Sequence, residues 1–131
     1  MSQDTICLLG GTGFVGQHLV NSLTGAGYRV RVLTRRRERH RALLVNPAVT
    51  LMEADVHSED ALRQQFSECD VVINLVAILN DSAKDGSGFH KVHVELPEKI
   101  VAAAVATGVP RLLHMSALNA DPAEPHCRYL K

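Results

Sequence analysis

Apolar residues in this chain fall into short unbroken runs, and amphipathic stretches alternate with them. Residues 5–9, Thr5-Ile6-Cys7-Leu8-Leu9, follow one another without polar interruption, which predicts a strand buried on both faces. Val15, Leu19, Leu23 and Ala26 then recur at helical spacing and predict one face of an amphipathic helix. Gly25 and Gly27 mark its end, as a left-handed cap requires. Residues 28–34 alternate Tyr28, Val30 and Val32 with arginines and form a second predicted strand. A short helix over 42–45 is stopped by Asn46-Pro47, and residues 49–52 make a third strand running into Glu53-Ala54-Asp55.

Ser58 followed by Glu59 and Asp60 reads as an N-cap with acids in the first turn, opening a helix to about residue 67. Residues 70–78 are the fourth and most hydrophobic strand, followed by a polar loop over 80–88. Residues 89–107 have helical character, with Pro97 predicting a kink there or a helix that begins near it. Gly108-Val109-Pro110 closes that helix, residues 111–115 make a fifth strand, and 116–131 form a loop. Strand and helix alternate with short connections, so the expected fold is α/β: parallel strands joined by right-handed crossovers. The expected strand order is 3-2-1-4-5, a doubly wound sheet whose switch point lies between strands 1 and 4.

The first strand breaks into glycines and then opens the first helix. Gly11-Thr12-Gly13-Phe14-Val15-Gly16 is a G-x-G-x-x-G run, and Gly10, Gly13 and Gly16 form an overlapping G-x-x-G-x-x-G. At a strand–turn–helix junction, unpaired amides and the positive end of the helix dipole face whatever occupies the turn. Missing side chains let a pyrophosphate approach those amides, with Gly13 against it and Gly16 allowing helix and strand to pack closely. The context on both sides of the motif is that of a dinucleotide site. Gly10, Thr12, Gly13, Phe14, Val15 and Gly16 are therefore candidate cofactor residues.

An acid about 20 residues beyond such glycines holds the ribose 2′-hydroxyl in NAD-binding versions. Here that region reads Val32-Leu33-Thr34-Arg35-Arg36, without an acid. Arginine's planar fork matches a phosphate, so Arg35, with Arg36 beside it, favours the 2′-phosphate of NADP(H), while NAD(H) stays open. The competing reading of the five arginines over 35–41 is a solvated helix face.

The chain has 131 residues, enough for one domain with a real core. Lys and Arg balance Asp and Glu at 14 each, so bulk charge gives no argument for nucleic acid or a membrane surface. Nucleic-acid binding through residues 29–41 is a weaker alternative. No apolar run is long enough to span a bilayer. Three cysteines, Cys7, Cys69 and Cys127, lack metal-ligand spacing and suggest no disulfide framework, which fits a cytoplasmic or other reducing compartment. His90 and His93 share a helix face without a nearby third ligand, so no metal site is expected.

The glycine motif, Ala54-Asp55 after strand 3, Asn74-Leu75-Val76-Ala77 after strand 4 and Met115-Ser116-Ala117 after strand 5 resemble the extended and atypical short-chain dehydrogenase/reductases. Within them the chain is most similar to the NAD-dependent epimerase/dehydratase-like and NmrA-like branch, which includes the NADH–ubiquinone oxidoreductase accessory subunit. That resemblance covers essentially the whole chain and implies a Rossmann-type domain. It also implies that Asp55 and Val56 flank the adenine and that Val76 and Ala77 line the ribose. From the residues alone, Asp55 capping a turn and Val76 and Ala77 serving as core are equally sound.

The family's chemistry uses a Ser, a Tyr and a Lys four residues beyond the Tyr: the Tyr is the acid/base, the Lys lowers its pKa, and the Ser polarises the substrate oxygen. Ser116 and Tyr129 take the first two places, while the lysine is due at position 133, past Lys131. His93 stands near where classical members carry an asparagine. Either the chain is the N-terminal part of a longer reductase-like protein, inactive alone and with an undefined small-molecule substrate, or the tetrad is incomplete by nature; Tyr129 as a simple exposed aromatic is at least as sound as Tyr129 the acid. The last strand would then be a bare sheet edge, favouring self-association. A non-catalytic structural subunit or redox sensor that holds the nucleotide is the alternative.

Overall fold

The computed structural model describes residues 4–36, 43, 45–78 and 87–117. The elements run β1 (Thr5–Leu9), α1 (Phe14–Gly25), β2 (Arg29–Thr34), β3 (Val49–Glu53), α2 (Glu59–Phe66), β4 (Val71–Asn74), α3 (Ser87–His90), α4 (Leu96–Thr107) and β5 (Arg111–His114). All neighbouring strands pair in parallel, and the sheet order is β3-β2-β1-β4-β5. This is the Rossmann-type order expected from the alternation of elements, with the switch point between β1 and β4.

Alternation along the strands divides the core into two layers. Ile6 and Leu8 of β1 join Val30, Val32, Val49, Leu51 and Ile73 beneath Val20 of α1. Cys7 and Leu9 face the other way, packing with Leu62 and Phe66 of α2 and with Leu96, Ile100, Ala103 and Ala104 of α4. Helices cover both faces because every strand of a parallel pair must cross back over the sheet.

Leu19 and Leu23 of the predicted α1 stripe pack against the core, but the fully buried positions lie one residue later than Val15 and Leu19. Gly16 and Val20 are its buried positions, Val15 is 45% exposed, and Ala26 lies beyond the helix. Gly16 has no side chain, so the helix axis comes nearest the sheet there and the stripe centres on it. β4 is shorter than its apolar run: it ends at Asn74, whose Oδ1 accepts the Val76 N–H at 3.1 Å and turns the chain out of the sheet. Apolar Leu75 and Val76 then pack against the two core layers, the Leu75 N–H still donating to Leu9 O of β1 at 2.8 Å.

Ser58 caps α2 as expected, its hydroxyl accepting the Ala61 N–H at 3.3 Å. Around Pro97 the structure uses a wider π-type turn, residues Lys91–Glu95, which joins α3 to α4. The Leu96 N–H reaches back five residues to Lys91 O, and Pro97 falls in the first turn of α4, where its missing N–H is harmless. Gly108 (φ 74°) closes α4 in the left-handed conformation. The expected 42–45 helix and the 80–88 loop fall largely outside the described residues. Among the described residues no helix is long and apolar enough to cross a membrane.

Candidate functional site

The site begins where β1 ends. Gly10 takes φ 80°, and a Cβ there would lie 2.9 Å from the backbone of Leu75 and of Val76, the segment leaving β4. The glycine turn and the β4 exit are thus pressed together at the switch point, which only a side-chain-free residue permits. At Gly16 a Cβ would meet Gly10 O and Gly11 C at 2.5 Å, so close packing of helix on strand explains this glycine. Gly11 backs onto Leu8 and Val32 in the same way.

Gly13 differs. A Cβ there would meet only Gly10 O, at an ordinary 3.6 Å, and its φ of −80° suits any residue. Packing does not require glycine at 13, and its side faces open space at the start of α1. Gly13 gives α1 no side-chain cap, and the first amides of a helix have no intrahelical partner. Phe14 is 82% exposed at this rim, and Gln17 Nε2 donates to Thr12 O at 3.0 Å. The start of α1 thus presents open space beside Gly13 and first amides without an intrahelical partner, a setting whose chemistry suits an anion such as a diphosphate.

Beyond the cradle, at the ends of β2 and β3, lies an open cleft of about 550 Å³ lined by Arg35, Glu53, Ala54, Asp55, His57 and Lys91. Its walls are fixed by backbone contacts. Thr34 O accepts the Ala54 N–H at 2.9 Å, joining the two strand ends. Thr34 Oγ1 accepts the Arg36 N–H at 3.3 Å, turning the chain so that Arg35 follows the strand directly. Asp55 Oδ1 accepts the His57 N–H at 2.9 Å, and Asp55 O accepts the Ser58 N–H at 3.1 Å, so Asp55 does cap a turn while also lining the cleft. Lys99 of α4 donates to His57 O at 3.0 Å from behind.

His57 is held away from charge. Burial, foremost, and then the cations Lys91, Arg35 and Lys99 lower its pKa below the usual 6.5, against an upward pull from Asp55. Its Nδ1 is buried with no hydrogen-bond partner among the described residues.

The structure thus gathers Gly10, Gly13, Gly16 and Val76 around the turn, and Arg35 and Asp55 in the cleft. Val56 is buried in the core, Val76 is half-buried against it, and Ala77 is exposed. Arg36 is exposed and does not line the cleft. Ser116 is exposed just past β5; Tyr129 lies outside the described residues. His93 Nε2 accepts the Ile78 N–H at 3.3 Å, tying the β4 exit to the π-type turn. Arg31 points inward, donating to Gln65 O and, at 3.4 Å, to Ser67 O, so the arginines of 29–36 do not share one outward face.

Three cleft residues, Glu53, His57 and Lys91, were not singled out by the sequence. Glu53 and His57 flank Asp55 closely enough to have been suspected. Lys91 arrives from a distant helix, and nothing local marks it.

The profile of the NAD dependent epimerase/dehydratase family matches residues 6–126. The mitochondrial NADH-ubiquinone oxidoreductase 40 kDa subunit of Neurospora crassa is 31% identical over 121 residues, which is 90% of this chain and 32% of that protein. A 4-hydroxy-2-methyl-3-oxo-4-farnesyl-3,4-dihydroquinoline-1-oxide ketoreductase of Stigmatella aurantiaca is 30% identical over 107 residues, 82% of this chain and 31% of its own length. The chain therefore spans about a third of the curated relatives it matches. Among solved structures, Pen from Bacillus thuringiensis superposes with a TM-score of 0.85 at 18% identity, covering 98% of this chain and 41% of that one. The UDP-N-acetylglucosamine 4-epimerase of Bacillus cereus gives 0.77 at 23% identity, covering 97% and 44%; at these identities the likeness speaks for the fold. A switch-point glycine cradle on a β3-β2-β1-β4-β5 sheet, with the profile match over nearly the whole length, places this chain in the NAD-dependent epimerase/dehydratase family.

Proposed function

We propose that this chain binds a nicotinamide dinucleotide, NADP(H) in preference to NAD(H), as the cofactor-holding part of an oxidoreductase or epimerase. The observation that carries the preference is Arg35 at the mouth of the cleft, directly after β2, where NAD-binding relatives of the fold place an acid. In this reading the amides at the start of α1 hold the diphosphate, with Gly13 leaving room for it. Asp55 lies beside the adenine, Val76 and Ala77 lie along the ribose, and Arg35 takes the 2′-phosphate. The dinucleotide, when bound, supplies hydride chemistry; the protein supplies position.

In the parent protein Ser116 would orient and polarise a substrate oxygen, and Tyr129 would exchange a proton with it. Calorimetric titration of NADPH and NADH into wild type and Arg35→Ala tests the preference. NADPH should bind more tightly to wild type, and the variant should lose about tenfold or more toward NADPH while NADH binding is spared. Equal affinity for both cofactors in wild type would defeat it.

A second reading, a nucleotide-holding subunit without catalysis, draws on the respiratory-complex subunit among the relatives. A lysine at position 133 of the parent chain together with substrate-dependent turnover would favour the enzyme. Stable stoichiometric cofactor without turnover would favour the subunit.

A further inference from the structure

We propose that Lys91 and His57 complete, with Arg35, a three-sided anion site that grips the 2′-phosphate of the dinucleotide; this rests on the NADP(H) reading above. The three residues line the same cleft from separate parts of the fold, close enough for the charges of Arg35 and Lys91 to act on the His57 ring: Arg35 from the end of β2, His57 from the turn after β3, and Lys91 from the π-type turn before α4. A phosphate has three outward oxygens and is best held by donors that approach from different directions. Arg35 supplies a planar fork on one side and Lys91 a mobile point charge on another.

The cleft also carries two carboxylates, Glu53 and Asp55. Those two acids balance Arg35 and Lys91, so the sign of the empty cleft is decided by His57. Around that ring Lys91, Arg35 and Lys99 oppose its proton and Asp55 supports it. In the free protein burial and the three cations keep it neutral. A dianionic phosphate between Arg35 and Lys91 reverses that balance, because a nearby negative charge favours the protonated imidazole. Binding of the 2′-phosphate is therefore coupled to uptake of a proton at His57, and the cleft becomes net positive only when its ligand is present. The phosphate's own second ionisation, near pH 6, would act oppositely, since cations that bind the dianion drive its proton off.

The opposite signs make the test decisive. NADP⁺ and NAD⁺, which differ only by the 2′-phosphate, are titrated calorimetrically into the intact chain at about pH 7.5 in two buffers of different ionisation enthalpy. The expected result is net proton uptake with NADP⁺ and none with NAD⁺, and loss of that uptake in His57→Gln. Lys91→Met, which keeps the aliphatic stem, should weaken NADP⁺ by about tenfold and leave NAD⁺ and the unfolding midpoint unchanged. Proton release or no exchange with NADP⁺, or a Lys91→Met effect equal on both cofactors, would overturn the three-sided site. If wild type still prefers NADP⁺ through Arg35 in that case, only this inference fails. If wild type binds both alike and Arg35→Ala changes neither, the NADP(H) reading fails and takes this one with it.

Discussion

At His57 the fold holds an imidazole whose charged form is disfavoured by burial first and by Lys91 and Arg35 next. The linkage to stability follows in sign. A group whose folded pKa lies below its unfolded value binds more protons when unfolded, so its contribution is intact above about pH 6.5 and declines as pH falls toward the folded value. Urea titrations of the unliganded chain at about pH 7.5 and 5.5 should show a midpoint that falls on acidification, and less so in His57→Gln. An unchanged pH response in the variant would place His57 in an environment no different from water. The glycines show how much of a site can be read at this scale. Gly10 and Gly16 are explained by close approaches to Leu75, Val76 and Gly11, whereas a Cβ at Gly13 would meet only Gly10 O, at 3.6 Å, so packing does not account for that glycine. His57 and Lys91 escaped notice because their shared cleft exists only after three strand and helix ends have been brought together.

Individual elements carry local signals that held where chain ends are chemically marked. Ser58 is such a mark: Ser58→Ala removes the acceptor for the Ala61 N–H and should lower stability by about 1 kcal/mol in urea unfolding. Gly108 is another, since a Cβ there would meet nothing within 4 Å and the penalty is the left-handed backbone alone. Gly108→Ala should thus destabilise by about 1–2 kcal/mol without disturbing packing; a neutral result for either variant would refute the assigned cap. Hydrophobic patterning located the five described strands, yet overran β4. Hydrophobicity marks burial, whereas the strand ends at a hydrogen bond, Asn74 Oδ1 to the Val76 N–H, that composition does not reveal. The π-type turn before α4 is hidden for a similar reason: Pro97 marks where a helix begins but does not say how the chain before it is wound.

For the molecule as a whole, strand order followed from alternation of elements and handedness, because parallel strands with short connections leave few other arrangements. Among the described residues β5 stands at the edge of the sheet. Leu113 is 49% exposed and Met115 53%, on the face that Ile73 occupies in the neighbouring strand. Apolar surface next to a terminal strand favours association, so the 131-residue chain is expected to self-associate as concentration rises. Multi-angle light scattering that finds a monomer across the accessible concentration range would contradict this. The cradle at the switch point remains the feature on which the functional reading turns, and Gly13 isolates it from the fold. Alanine at 13 fits the space and the backbone, so Gly13→Ala should unfold within about 1 kcal/mol of wild type. The most direct measurement is a calorimetric titration of NADPH into this variant beside wild type. The account predicts tight binding to wild type and at least about a tenfold loss in a variant that remains folded. Undiminished binding to the folded variant would mean that the diphosphate does not lie against residue 13.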